Sequence, residues 1–461
     1  MHGKTSEMQQ IDNELWDEFS GSGWISGEPA SQAVLLAAKK EHRLEKNRPF
    51  NGFVLEQKSL DDSEFTQFID QLRETARVIP PGTRIQLAVL TRFVDPDYEW
   101  SIEYEEGKRT CAHWTAVDLL VGEGGQVSSF VLDAANAQGF QRIHARLKEI
   151  FPEGKHYVYK SETVYNESKG RDSPIPIQTL TVGCRVFAIE HLKQLSQLTT
   201  ATLYGKELPL ISTEKGEIKA SNFTGGLKLS RIFRGMQTWT GLSKGLSEAV
   251  QNTPLKDTSS ETVIEYAERQ SIMEGEIAPI KKNETIARKN TQYMNKKRDY
   301  YQSLSPEMQQ SVVENRRGFA YLQHPQLFKL SDMLSSIETY ENNDALMVFI
   351  QDFSWALQEH DAPEEARHCL EALTALSTAT HLSPGAIKHS VLTSVTGLYQ
   401  ALDTNNHLDY QSRISEKIDR LYRGPSENPV TKYRKILQAQ QTDSSSSDSD
   451  TSKRGDSPAS V

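Results

Sequence analysis

The sequence predicts an α+β domain followed by an α-helical one. Between about residues 21 and 200, short apolar runs of strand character are interspersed with segments of helical period. From about residue 262 onward the chain reads as helical. The stretch 441–461, QTDSSSSDSDTSKRGDSPASV, is of low complexity and is expected to be disordered.

Residues 1–20 are polar and form an expected flexible N-terminus. Residues 62–76 predict a helix, because Phe65, Phe68, Ile69 and Leu72 fall at i, i+3, i+4 and i+7. Pro80, Pro81 and Gly82 end it. RIQLAVLTRF (84–93) predicts a largely buried strand. HWTAVDLLV (113–121) and VSSFVLD (127–133), separated by GEGGQ, predict a hairpin. Residues 137–151 predict a helix, 156–165 a strand and 169–176 a loop. Residues 184–198 predict a helix with Phe187, Ala188, Leu192 and Leu195 as its inner stripe. Residues 344–360, 363–380, 384–402 and 408–423 carry helix-period apolar positions, with Pro363 and Pro384 near two helix starts. The expected division is a thiol domain at 21–204, a linker or regulatory segment at 205–261, a helical domain at 262–440 and a tail at 441–461.

Composition narrows the function classes. The net charge of −10 over 461 residues argues against a general nucleic-acid binder. Three cysteines, Cys111, Cys184 and Cys369, make no disulfide framework and point to a reducing compartment. No run of about 18 apolar residues is present, so no membrane span is expected. No Sec-type signal pattern is visible. The histidines show no metal-ligand spacing.

One constellation suggests chemistry. His113 opens a strand, Asp133 closes the next strand of the hairpin, and Cys184 starts a long helix. Near the open end of a hairpin a carboxylate can accept the imidazole N–H, which fixes the tautomer and stabilises imidazolium. Free N–H groups at a helix start favour a thiolate, and a neighbouring imidazolium favours it further. Gln178, six residues before Cys184, is placed to help hold an oxyanion. Asp118, on the histidine strand itself, is a rival acid. Cys111 and Cys369 read as small core residues, Cys369 within a Leu-patterned helix. GEGG (122–125) reads as a hairpin turn, since no Lys-Ser/Thr follows.

The order His113, Asp133, Gln178, Cys184 resembles the ubiquitin-like-protease superfamily of cysteine enzymes (clan CE) over about residues 113–198. The resemblance implies a papain-like catalytic domain and covalent thiol chemistry on proteins. CRVFAIEHLKQL (184–195) and GQVSSFVLDAAN (125–136) are similar to the YopJ-type acetyltransferases. Those enzymes imply acetyl-CoA as acyl donor and activation by inositol hexakisphosphate. They also imply delivery as bacterial effectors into the host cytosol. For such a polyanion, Lys281, Lys282, Lys296 and Lys297 in KKNETIARKNTQYMNKKRDYY (281–301) are candidates. So are Lys228, Arg231 and Arg234 in GGLKLSRIFRG (225–235). A solvated helical face is the plainer reading of the 281–301 run.

His113-Trp114 and WISGEPASQAV (24–34) look instead like the proteases, which makes Trp24 and Trp114 substrate-facing candidates. Gly27 stands where that segment carries Asp, and Arg185 stands where proteases often carry Gly. The Tyr-Lys-His segment of the acetyltransferases is not found. The leading expectation is a Ser/Thr/Lys acetyltransferase. Its rivals are a ubiquitin or ubiquitin-like-modifier protease and a non-catalytic scaffold.

Overall fold

The structure is a computed structural model. It describes residues 29–57, 63–94, 102–104, 108–134, 139–160, 162–166, 170–175, 184–219, 295–339, 343–358, 361–379 and 381–422, with a few positions between 252 and 265. The chain forms two compact units. The first comprises Met1–Arg43 and Arg48–Phe328, the second Leu44–Asn47 and Lys329–Val461.

In the first unit, α1 (Pro29–Glu45) leads into β1 (Asn51–Gln57), α2 (Glu64–Thr75) and β2 (Arg84–Val94). Then come β3 (Ile102–Tyr104), β4 (Lys108–Val121), β5 (Val127–Leu132), α3 (Gly139–Ile150) and β6 (His156–Tyr159). The small pair β7 (Glu162–Asn166) and β8 (Arg171–Ile175) precedes α4 (Cys184–Ser196), and β9 (Glu217–Ile218) follows a helical stretch at 200–211. Among the described residues, seven strands form one mixed sheet in the order β1-β2-β4-β5-β6-β9, with β3 added on β4.

The sheet is covered on both faces. Leu90, Trp114, Ala116, Phe130 and Leu132 share a core cluster with Ala188, Ile189, Leu192 and Leu195 of α4. Their alternating neighbours Val89, Val117, Leu119 and Val131 are buried as well, and α2 and α3 pack on the sheet. Burial on both faces explains why β2 and β4 read as near-continuous apolar runs. Ser63 caps α2 by accepting from the Thr66 N–H at 3.1 Å, which satisfies one free donor of the first turn. Phe65, Phe68, Ile69 and Leu72 of α2 are fully buried, each contributing about 1.5–3 kcal/mol.

The predicted hairpin is β4–β5, turned through Glu123–Gly125. The predicted helices at 62–76, 137–151 and 184–198 are α2, α3 and α4. Three expectations are corrected. The predicted strand at 156–165 is two strands, β6 and β7. The predicted loop at 169–176 contains β8, which pairs with β7. The boundary expected at 204 falls inside the first unit, because β9 joins the sheet beside β6. The helix 295–303, α5 (Pro306–Glu314) and α6 (Phe319–Gln323) also belong to that unit. Arg316 fastens this part by pairing with Glu64 at 2.8 Å and donating to the Val54 carbonyl at 3.2 Å.

Helix α7 (Gln326–Ser336) carries the chain into the second unit. There α8 (Asp344–Leu357), α9 (Glu364–Ser377), α10 (Pro384–Thr404) and α11 (Leu408–Leu421) pack on one another in sequence order. Lys388 is fully buried in this unit. Its ammonium donates to the Ile337 carbonyl at 2.7 Å, Asn47 Oδ1 at 2.8 Å and the Leu44 carbonyl at 3.3 Å. Among the described residues, no helix is long and apolar enough to cross a membrane.

Candidate active site

One edge of β4 carries β3 from Lys108 to Thr110 and β5 from Ala116 to Val121. Between these pairings, residues 111–115 have no strand partner on that edge among the described residues. Cys184, at the first position of α4, comes to this open stretch. The His113 imidazole and the backbone N–H of Trp114 lie close enough to its sulfur to act on the thiol. A gap in the sheet therefore gives the sulfur its place beside the histidine.

His113 Nε2 lies 2.5 Å from Asp133 Oδ2. Thr115 Oγ1 donates to the same oxygen at 2.9 Å. With Nε2 committed to the carboxylate, Nδ1 is the ring nitrogen left for the sulfur. Cys184, His113 and Asp133 are 6%, 7% and 1% exposed. The group is thus shielded, and its electrostatic interactions are little screened by water.

Burial alone would push the His113 pKa down. The Asp133 carboxylate, by charge and by hydrogen bond, and the Cys184 sulfur outweigh it and hold His113 well above the ordinary imidazole value. Burial alone would push the Cys184 thiol up. The bond and charge of His113 and the Trp114 N–H outweigh it, so the thiol lies below its ordinary value. Both shifts favour a thiolate–imidazolium pair. The first-turn N–H groups of α4 lack intrahelical partners by helix geometry, and such donors are the kind that can hold an oxyanion.

The rival acid Asp118 is engaged elsewhere. It pairs with Arg84 at 2.5 Å and accepts from Gln86 at 2.9 Å and from the Tyr204 hydroxyl at 2.8 Å. Asp133 is the acid that reaches His113.

No protein family, no curated protein and no solved structure matches this chain. The site is therefore read from its own chemistry.

Of the residues singled out in the sequence, His113, Asp133 and Cys184 come together. Gln178, Trp24, Lys228, Arg231, Arg234, Lys281 and Lys282 lie outside the described residues. Trp114 requires correction. It is 1% exposed and sits in the core cluster with Cys184, so it faces no substrate. Strand alternation explains this, because it sends Trp114 to the face opposite His113. Lys297 is corrected as well. It is 1% exposed, and its ammonium is bonded to Ser31 Oγ of α1, so it is presented neither to a polyanion nor to solvent. Lys296 is exposed. Cys369 is buried within α9, and burial pushes its thiol up to about 12. Among the described residues, no group of three His, Cys, Asp or Glu could hold a metal ion.

Two residues at the site escaped the sequence reading. Thr115 follows His113 by two positions, the spacing that places both on one strand face. His191 lies two helical turns beyond Cys184 on α4 and is 3% exposed. Burial pushes its pKa down to about 4, against the pull of Asp133 and Glu190, and among the described residues its Nε2 has no hydrogen-bond partner.

Proposed function

We propose that the protein is a Cys–His–Asp acyl-transfer enzyme with a papain-like catalytic domain. Its reaction is the transfer of an acetyl group from acetyl-CoA to Ser, Thr or Lys side chains of a protein substrate. The observation that carries this reading is the single imidazole of His113, bonded to Asp133 and set beside the sulfur at the start of α4.

The chemistry follows from that geometry. The Cys184 thiolate attacks the thioester carbonyl, and a tetrahedral oxyanion forms near the first N–H groups of α4. When the intermediate collapses, the carbon–sulfur bond to the coenzyme breaks and His113 gives its proton to the leaving thiolate. The acetyl group is then held as a thioester on Cys184. The acceptor hydroxyl or amine attacks this thioester and passes its proton to His113, which restores the resting pair. Asp133 keeps the ring in one tautomer and stabilises its charge throughout. A reducing compartment, such as the cytosol of a host cell, keeps the sulfur available for this cycle.

The sequence similarity around Asp133 and in α4 favours acetyl transfer. Hydrolysis of ubiquitin-type conjugates rested in part on Trp114, whose side chain is packed in the core. Intact-mass measurement of wild type and Cys184→Ala after incubation with acetyl-CoA, with and without inositol hexakisphosphate, tests the reading. A parallel incubation uses ubiquitin–propargylamide. Acetylation of the wild type alone supports transfer. A ubiquitin adduct on Cys184 would move the assignment to a protease. A chain inert toward both that still captures a protein partner would mark a scaffold.

A further inference from the structure

The far end of α4 is held in an unusual way. Its last two residues and the two that follow offer four consecutive carbonyls, and each accepts from a guanidinium. Arg84 donates to the Leu195 carbonyl at 3.1 Å and to that of Leu198 at 2.6 Å. Arg43 donates to the Ser196 carbonyl at 2.8 Å, and Arg48 to that of Gln197 at 2.9 Å. The three arginines come from α1, from the segment after it and from β2. Arg84 is fixed in turn by the buried Asp118, itself bonded to Gln86 and Tyr204.

Cations at a helix C-terminus complement its dipole and satisfy its free carbonyls. That alone would be stability. The added consequence here is geometric. A helix of 13 residues is a stiff rod of about 20 Å at 1.5 Å per residue. Whatever fixes one end along the axis and in rotation also fixes the atom at the other end, and that atom is the Cys184 sulfur.

We infer that Arg84, supported by Arg43 and Arg48, is a positioning group that sets the Cys184 sulfur against His113 by anchoring the opposite end of α4. Arg84 is the central member because it alone joins two of the carbonyls to the sheet through Asp118. The inference rests on the thiol reading above, and its test separates the two.

The test is the rate of Cys184 alkylation by iodoacetamide against pH, followed residue by residue by mass spectrometry in the full chain. Wild type, Arg84→Met and Arg84→Lys are compared. Lysine keeps a cation for Asp118 but lacks the fork that reaches both carbonyls. The wild type should react in its thiolate form at a pH below that of an ordinary thiol. In both variants the profile should move to higher pH. Reaction on the acid limb should then slow about tenfold for every pH unit that the profile moves, with the same plateau at high pH. In acyl transfer, kcat should fall with KM little changed. Folded variants that melt at lower temperature yet keep the wild-type profile would overturn the positioning role. Should Arg84→Met fail to fold, Arg84→Lys decides. A wild-type profile like that of an ordinary thiol would instead sink the thiol reading itself.

Discussion

Asp133 sits across from Thr115 when the β4–β5 pairing is extended one step beyond Ala116↔Leu132, yet its Oδ2 reaches diagonally to His113 Nε2 at 2.5 Å. One carboxylate oxygen thus serves two neighbours on the same strand face. Asp133→Asn keeps the shape but removes the charge and can invert the tautomer. Acylation of Cys184 should slow by about 10²–10⁴-fold. Thr115→Val removes one supporting bond worth about 1 kcal/mol, so the loss should be about fivefold. Single-turnover acetylation of Cys184 checks both, and equal effects of the two variants would contradict the assigned roles.

The described thiols differ in environment. Cys184 is lowered by His113 and the Trp114 N–H against the effect of burial, whereas burial pushes Cys369 up to about 12. Brief treatment of the native chain with iodoacetamide at pH 7 should modify Cys184 and spare Cys369. Peptide mapping reads the outcome, and preferential labelling of Cys369 would count against the thiolate.

Acid should weaken the fold through the buried His191 and the half-buried His144. Burial pushes His191 and His144 down to about 4 from an ordinary 6.5. Between those values the unfolded chain binds more protons than the folded one. The contribution is therefore fully present above pH 6.5 and is lost as pH falls toward 4. Urea midpoints should drop between pH 7 and pH 5, and His191→Phe should drop less. A variant losing as much as the wild type would show that His191 is not the acid-sensitive group.

In the second unit, Lys388 is the donor shared by Leu44, Asn47 and Ile337. Lys388→Met leaves buried acceptors without their partner, at a cost of about 1–3 kcal/mol. Thermal denaturation of the full chain should show that loss. An unchanged unfolding curve would mean that water replaces the ammonium.

Much of the site was legible because its parts are local. The hairpin spacing put Asp133 near His113, and an uninterrupted helical pattern put Cys184 at a helix start. The same two-residue alternation that groups Thr115 with His113 also sends Trp114 inward, a consequence the family resemblance obscured. The arginine anchor was not legible, because Arg43, Arg48 and Arg84 meet α4 across 111 to 153 residues of chain. Strand β9 has two residues, too few to show a period, and it owes its place to pairing with β6. Lys297 sits in a run of charge that reads as solvated, and only its bond to Ser31 of α1 buries it.

The proposed chemistry turns on the coupling of one sulfur to one imidazole. The most direct measurement is the ultraviolet thiolate titration of a chain carrying Cys111→Ser and Cys369→Ser, with and without His113→Ala. The thiolate of Cys184 should appear below the ordinary thiol value of about 8.5 and move above it when the imidazole is removed. Titration at the same pH in both proteins would contradict that coupling.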